Sequence, residues 1–468
     1  MSNEKKLPDP QENKMGVMPI GKLLVNMATP MIISMIVQAL YNVVDSIYVS
    51  RISESAVTAL SLAVPIQNLL IGFGVGIGVG VNAYLSKALG EGDREKANRT
   101  AGNGILLTLI AAVGFLIFGL FGAEAFFKTQ SEVQETVEGG AAYLSICCIF
   151  SVGVLVSILC ERLLQAPGRT VHTMITQGVG AITNIILDPV FIFGVDFLGI
   201  PAMGIAGAAV ATVVGQWVSA TLGIIFNLKL NPDVQFGLRY MKPDRKIIGP
   251  VLSVGVPAIV MNSIGSVMTF GMNKILQGFN ETATGVFGIY FKLQSFFFMP
   301  LFGINNAAIS ILAFNYGARQ PKRITGTLKR TVGTAMVIML LGLAVFQLVP
   351  DVLMGFFSTS GDAASGDFVQ LGISALRIIS LMFPMAAVGI ALGGAAFPAM
   401  GNGLYSTITS LCRQLIVLLP AAYLLSLTGD VHAVWWSFPI AEVVSMLITL
   451  FLYGKVYHNK IKPMFTGN

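Results

Sequence analysis

From Leu23 almost to its end, the chain is a succession of long apolar runs separated by short polar stretches. A bilayer core about 30 Å thick requires roughly 20 apolar residues per helical crossing. Twelve runs meet that length, centred near Ile36, Ile71, Ile110, Val152, Thr183, Val214, Ser263, Phe298, Leu340, Val388, Ile416 and Val444. They are too long for membrane β-strands, which need about 10 residues of alternating polarity. The expected fold is an all-α polytopic membrane protein with twelve transmembrane helices. Composition argues against a large soluble enzyme, because only 11% of the residues are charged, against about 25% in soluble domains.

Loop charges give the orientation. Outside the spans, the loops on the far side from the N-terminus hold only Arg51 and Lys128. Lys274, Lys292, Arg377 and Arg413 lie within spans, and all other Lys and Arg fall on the N-terminal side. The positive-inside rule places that side, with both termini, in the cytoplasm of a cell-membrane protein. The net charge of +6 then reflects orientation in the bilayer, not nucleic-acid binding, since no compact basic domain with interleaved aromatics exists. Residues 1–22 read as a disordered cytoplasmic leader with no cleavable signal, and residues 455–468 as a cytoplasmic tail. Cys147, Cys148, Cys160 and Cys412 fall in apolar segments and read as buried thiols. His172, His432 and His458 show no ligand spacing, and no cofactor is implied.

The longest N-terminal-side loop, residues 229–248, divides the spans into an N-lobe (23–228) and a C-lobe (249–454). Shifting the first half by 227 residues pairs Pro30 with Pro257, Glu54 with Glu281, Ala56 with Ala283, Gln67 with Gln294, Gly76 with Gly303 and Gly90 with Gly317. Further on, APG at 166–168 meets AMG at 399–401 at a shift of 233. Identity at the structural punctuators indicates an internal duplication. Six helices per repeat keep both halves in one orientation, so the pseudo-two-fold axis runs along the membrane normal. Two such lobes facing a central cavity suit a transporter.

Two acids break the symmetry. Asp45, in QALYNVVDSIYVS, lands on Met272, and Asp188, in TNIILDPVFIF, lands near Leu419 or Pro420. A carboxylate at the bilayer centre costs at least about 2.5–3.5 kcal/mol on insertion scales, and such residues mark ion and substrate pathways. Gln38, Tyr41 and Asp45 share one helical face, as do Asn184 and Asp188. Pro189 frees a backbone carbonyl beside them. Thr212 and Ala208 lie one turn apart in GIAGAAVATVV. Carboxylate, amide, hydroxyl and carbonyl oxygens are the donors that Na⁺ or a proton relay needs. The competing reading is that the two acids only make interhelical hydrogen bonds.

From about Leu23 to Tyr453 the chain resembles the multidrug and toxic compound extrusion (MATE) transporters. The resemblance is carried by VVDSIYVS, GEGDREKANR, TNIILDP, QAPGRT and GIAGAAVAT. Asp45 with the Asn184–Asp188 pair is similar to the DinF branch, and the whole to the MepA-like efflux pumps. The resemblance implies a monomeric, two-lobed antiporter that exports cationic amphiphilic drugs against influx of H⁺ or Na⁺. It implies an N-lobe cation site at Gln38, Tyr41, Asp45, Asn184, Asp188 and Thr212, with Na⁺ a candidate at Asp45, Asn184, Asp188 and Thr212. Tyr143 also matches a family tyrosine. Another branch carries acids in the seventh and tenth helices, where this chain has Asn273, Lys274 and Arg377, so no C-lobe cation site is carried over.

Other residues leave a choice. Glu442 either faces a cationic substrate or pairs with Arg413 or Arg377. Lys292 either lines the cavity or snorkels outward. Met261, Met268, Met272, Met299, Met382 and Met385, with Phe296 to Phe298, offer either an adaptable substrate surface or plain helix packing. Glu161 and Arg162 read as a pair at the cytoplasmic edge of the fourth span. GFGVGIGVG (72–80) lacks the Lys-Ser/Thr of a phosphate loop and reads as close helix packing. Two alternatives to drug export are a flippase for a lipid-linked sugar, which calls for a strongly cationic cavity, and a membrane enzyme. No nucleophile–base constellation supports an enzyme.

Overall fold

The computed structural model describes residues 13–195, 199–355 and 363–466. Among these, the backbone is helical apart from connecting segments and one antiparallel bridge between Val195 and Ile200. Ten helices are long and apolar enough to cross a bilayer, and two bent helix pairs bring the number to twelve. In the N-lobe these are α1 (Ile20–Ser50), α2 (Glu54–Glu91), α3 (Arg94–Phe121), α4 (Gln134–Ile149 and Val152–Gln165), α5 (Thr170–Phe193) and α6 (Ile205–Leu230). In the C-lobe they are α7 (Arg245–Gln277), α8 (Glu281–Gly317), α9 (Pro321–Leu348), α10 (Asp367–Ser380 and Phe383–Ala399), α11 (Gly403–Ser426) and α12 (Val431–Thr466).

The duplication is visible in the packing. Both α4 and α10 are bent by 46° at a break. In α10 the break precedes Pro384, which has no N–H to give the preceding turn. Each bent span ends in a turn with a left-handed glycine, Gly168 (φ 88°) after α4 and Gly401 (φ 74°) after α10. These are the glycines of the APG and AMG matches, and the backbone conformation there strains any residue with a Cβ. At the lobe seam the contacts are reciprocal. A Cβ on Gly90 of α2 would collide with the Phe314 carbonyl of α8, and one on Gly317 of α8 with the Lys87 carbonyl of α2. Gly76 likewise abuts Ile259, and Gly303 abuts Ile32. Each contact maps onto its partner by the 227-residue shift, as a two-fold operation requires.

The lobes touch mainly at the end that carries the termini. There Met27, Leu85, Ile304, Ile311 and Phe314 share one buried cluster across the seam. Toward the other end, each lobe has a core of its own, with Phe127, Tyr143 and Leu144 in the N-lobe and Met272, Phe287, Tyr290 and Trp435 in the C-lobe.

The leader is not disordered where the structure describes it. Residues 1–12 lie outside the described residues, but Lys14–Val17 forms a short helix capped by the Asn13 side chain. Met15 is fully buried. Its carbonyl accepts from Asn315 Nδ2 (3.1 Å) and Arg323 Nη2 (2.8 Å), and the Met18 carbonyl accepts from Arg323 Nη2 (2.9 Å). On the N-lobe side, Lys14 and Met15 pack against Gly168. The segment therefore fastens the two lobes together at the termini end. Arg323→Ala removes charge-assisted hydrogen bonds worth about 2 kcal/mol. It is expected to lower the melting temperature in detergent, and an unchanged melting temperature would refute the fastening role.

The interlobe loop is also anchored. Asn98 Oδ1 accepts from Gln235 N (2.7 Å), and Asn103 bonds the Tyr240 and Lys242 carbonyls and the Asp244 amide. The described C-terminal residues continue helically to Thr466, and Lys460 Nζ donates to the Met400 carbonyl at 2.6 Å. The segment read as a tail from residue 455 is thus part of the packed structure.

Candidate functional site

The N-lobe gathers its polar residues onto the inner faces of α1, α4, α5 and α6. On α5, Asn184 and Asp188 lie one turn apart and are almost wholly buried. Asn184 Nδ2 donates to Asp188 Oδ1 (3.2 Å) and to Thr212 Oγ1 of α6 (3.2 Å). That amide bonds α5 to α6. On α1, Gln38 and Tyr41 lie on one helical face, and Tyr41 lies within electrostatic reach of both Asp45 and Asp188. Asp45 and Asp188 also feel each other's charge.

Three oxygens in this region are buried with no hydrogen-bond partner: Asp45 Oδ1, Asn184 Oδ1 and Asp188 Oδ2. All three are acceptors only. Leaving such an atom unpaired costs about 1–3 kcal/mol, more for a charged group. Water, a proton or a monovalent cation are the partners that acceptors of this kind take. The donor chemistry suits Na⁺ as well as H⁺.

Tyr143 of α4 is buried beside this group. Its hydroxyl accepts from Gln67 Nε2 of α2 at 2.8 Å, and it lies within reach of the Asp45 charge. Gln67 thus supports the site, although in the sequence it stands out only as a repeat match. Ala208 is fully buried with Val49 and Leu144 in the N-lobe core and brings no polar side-chain atom.

A cavity of about 170 Å³ runs from Gln38, Tyr41, Asn184 and Thr212 to Glu161 and Gln177. The expected edge pair of Glu161 and Arg162 is not observed. Each is only 6% exposed, because α5 folds back antiparallel over this part of α4. Glu161 Oε2 accepts from Gln177 Nε2 (2.7 Å), while Arg162 Nη1 donates to Gln165 Oε1 (2.9 Å) and, across the seam, to Asn306 Oδ1 of α8 (3.0 Å).

The candidates in the C-lobe do not converge on one point. Glu442 is buried and lies 3.9 Å from Arg413 Nη1, so Arg413 rather than Arg377 is its neighbour. Arg377 and Lys292 are exposed. Met268 and Met272 are buried in the C-lobe core, and Met261 and Met299 are half-buried. Among the described residues, no cluster of three or more His, Cys, Asp or Glu side chains could hold a metal ion.

The family model described as MatE matches residues 30–190 and again 257–424. The second match starts 227 residues after the first (257 − 30), in the register of the internal repeat. The multidrug export protein MepA of Staphylococcus saprophyticus is 25% identical over 434 residues, covering 92% of this chain and 93% of that protein. A solved structure described as the outward-facing conformation of a multidrug resistance MATE family transporter superposes with a TM-score of 0.88. It has 26% identity and covers 97% of this chain and 98% of that one. A transporter of Pyrococcus furiosus, described as having a binding pocket of reverse polarity that suggests a different function, superposes with a TM-score of 0.87. It has 25% identity and covers 98% of this chain and 99% of that one.

Proposed function

The chain belongs to the MatE family, and from that premise we propose that it is a cation-coupled antiporter exporting cationic amphiphilic compounds across the cell membrane. The observation that carries the reading is the set of unpaired buried acceptors at Asp45, Asn184 and Asp188, whose two carboxylates have no acid at the repeat-related positions of the other lobe. A symmetric scaffold does not need them, and buried carboxylates are expensive without a counter-charge. A transporter that must load and unload a cation does need them.

In the proposed cycle, the state with lobes parted on the far side from the termini admits H⁺ or Na⁺ to Asp45 and Asp188. Neutralising the pair alters the packing of α1, which carries Pro30 in its first half. That change releases the drug from between the lobes, and the loaded carrier then returns to the opposite state. The cation drives the cycle only because it binds the two states with different affinity. With the termini in the cytoplasm, the far side is the exterior.

The test is ethidium transport in everted membrane vesicles containing the full chain, with Na⁺ and pH gradients imposed separately. Transport driven by either gradient supports the reading. Ethidium movement indifferent to both gradients would reject it.

A further inference from the structure

We infer that a cavity at the lobe seam, between Lys87 and Lys460, binds a phosphate-bearing anion that fastens one side of the seam as Met15 fastens the other. A phospholipid headgroup and free phosphate share that chemistry. The inference concerns the termini end of the molecule and does not depend on the antiport reading of the Asp45–Asp188 site.

The internal repeat creates two related slots at this end. One is filled by the N-terminal segment. Lys14 Nζ lies 3.5 Å from Asn26 Oδ1, and Lys14 and Met15 pack on Gly168. Met15 also shares a buried cluster with Leu23, Met27, Ile311 and Phe314. By the shifts of 227 and 233 residues, the related positions are, in the same order, Ser253, Gly401, Pro250, Val254, Tyr84 and Lys87. All six line a cavity of about 470 Å³. No segment of the described chain seats there. A Cβ on Gly401 would have nothing within 4 Å, whereas one on Gly168 would meet Lys14.

The two slots differ in chemistry. Where the filled slot has Ile311 and Phe314, the open one has Tyr84 and Lys87, which suit a charged rather than an apolar occupant. Lys87 of α2 and Lys460 of α12 line the cavity from opposite lobes and lie within reach of each other's charge. Lys460 Nζ donates to the Met400 carbonyl (2.6 Å) and to Asn402 Oδ1 (3.0 Å). Among the described residues, no carboxylate lies within 4.0 Å of it. Lys87 is 3.7 Å from Glu91, whose other oxygen bonds Lys96 at 2.6 Å. One carboxylate thus serves two ammoniums, and Lys460 has none. Like charges facing one cavity disfavour each other, and an anion between them removes that cost. Phosphate oxygens accept charge-assisted hydrogen bonds from such ammoniums. With the termini in the cytoplasm, the cavity lies where basic pockets between transmembrane helices take anionic headgroups.

The test is the melting temperature of the purified full chain in neutral detergent, with phosphatidylglycerol, phosphatidylcholine or inorganic phosphate titrated in. A ligand that binds only the folded state raises the melting temperature as its concentration rises. Phosphatidylglycerol is expected to raise it at concentrations where phosphatidylcholine does not. Lys87→Gln and Lys460→Gln are each expected to raise the half-maximal concentration about tenfold, as loss of a charged hydrogen-bond partner does. Lys460→Arg keeps it near the wild-type value. Lys329→Gln, which removes an exposed lysine near the start of α9, leaves it unchanged. A shift with phosphatidylglycerol alone supports the site and identifies a lipid headgroup as the source. A like shift with inorganic phosphate also supports the site and identifies free phosphate. No shift with either probe overturns the inference. So does an unchanged half-maximal concentration in Lys87→Gln and Lys460→Gln, whether or not Lys460→Gln melts lower without ligand. An equal weakening by Lys329→Gln marks general attraction between charges and overturns it too. The antiport reading stands or falls separately, on the vesicle transport of ethidium.

Discussion

Asp45→Asn is expected to abolish gradient-driven ethidium export while the protein still folds and binds drug. The substitution keeps the volume of the side chain and removes the charge that a cation needs. A charged partner in a buried site is worth about 3 kcal/mol, which lowers cation affinity roughly a hundredfold. Asp45 Oδ1 has no partner in the protein to lose, so the neutral amide costs the fold little. Driven export in vesicles and ethidium binding in detergent separate the two effects. Export at the wild-type rate would remove Asp45 from the coupling site.

Gly90→Leu is expected to be the most destabilising of the substitutions considered. The position faces the Phe314 backbone carbonyl, which cannot move aside as a flexible side chain can. Overpacking a core usually costs about 1–3 kcal/mol, and a clash with backbone at the lobe seam belongs at or above the top of that range. Gly317→Leu makes the reciprocal clash with the Lys87 carbonyl and should behave alike, with the double variant less than additive because both open one seam. Gly333→Leu is the control, since nothing lies within 4 Å of its Cβ position. Melting temperatures in detergent decide the matter. Gly90→Leu as stable as Gly333→Leu would contradict the close seam.

The sequence was most legible where a single helix carries the signal. Run length alone located the twelve crossings, even those of α4 and α10 that are bent at a break. The 227-residue register, read from Pro30, Gly76 and Gly90, marks the positions where one lobe's backbone meets the other. The isolation of Asp45 and Asp188 was legible because carboxylates are rare in apolar runs. What stayed hidden depends on contacts distant in the chain. Glu161 lies near the end of α4, which suggested the membrane edge, but Gln177 on the returning α5 covers it. The residues around Met15 look like a polar leader because nothing nearby in sequence announces that Arg323, some 300 positions on, will satisfy their carbonyls. Gln67 and Tyr143 meet across 76 positions and could be joined only in the fold.

In the proposed cycle, one N-lobe site makes cation binding and drug binding oppose each other. The most direct measurement of this opposition is the ethidium dissociation constant of the purified protein, titrated against Na⁺ at fixed pH and against pH at fixed Na⁺. Linkage requires the effect of the cation on drug to equal that of drug on cation. Drug affinity is expected to weaken as one of the two cations is raised, and Asp45→Asn and Asp188→Asn are each expected to flatten the dependence. A wild-type affinity that ignores both cations would contradict it.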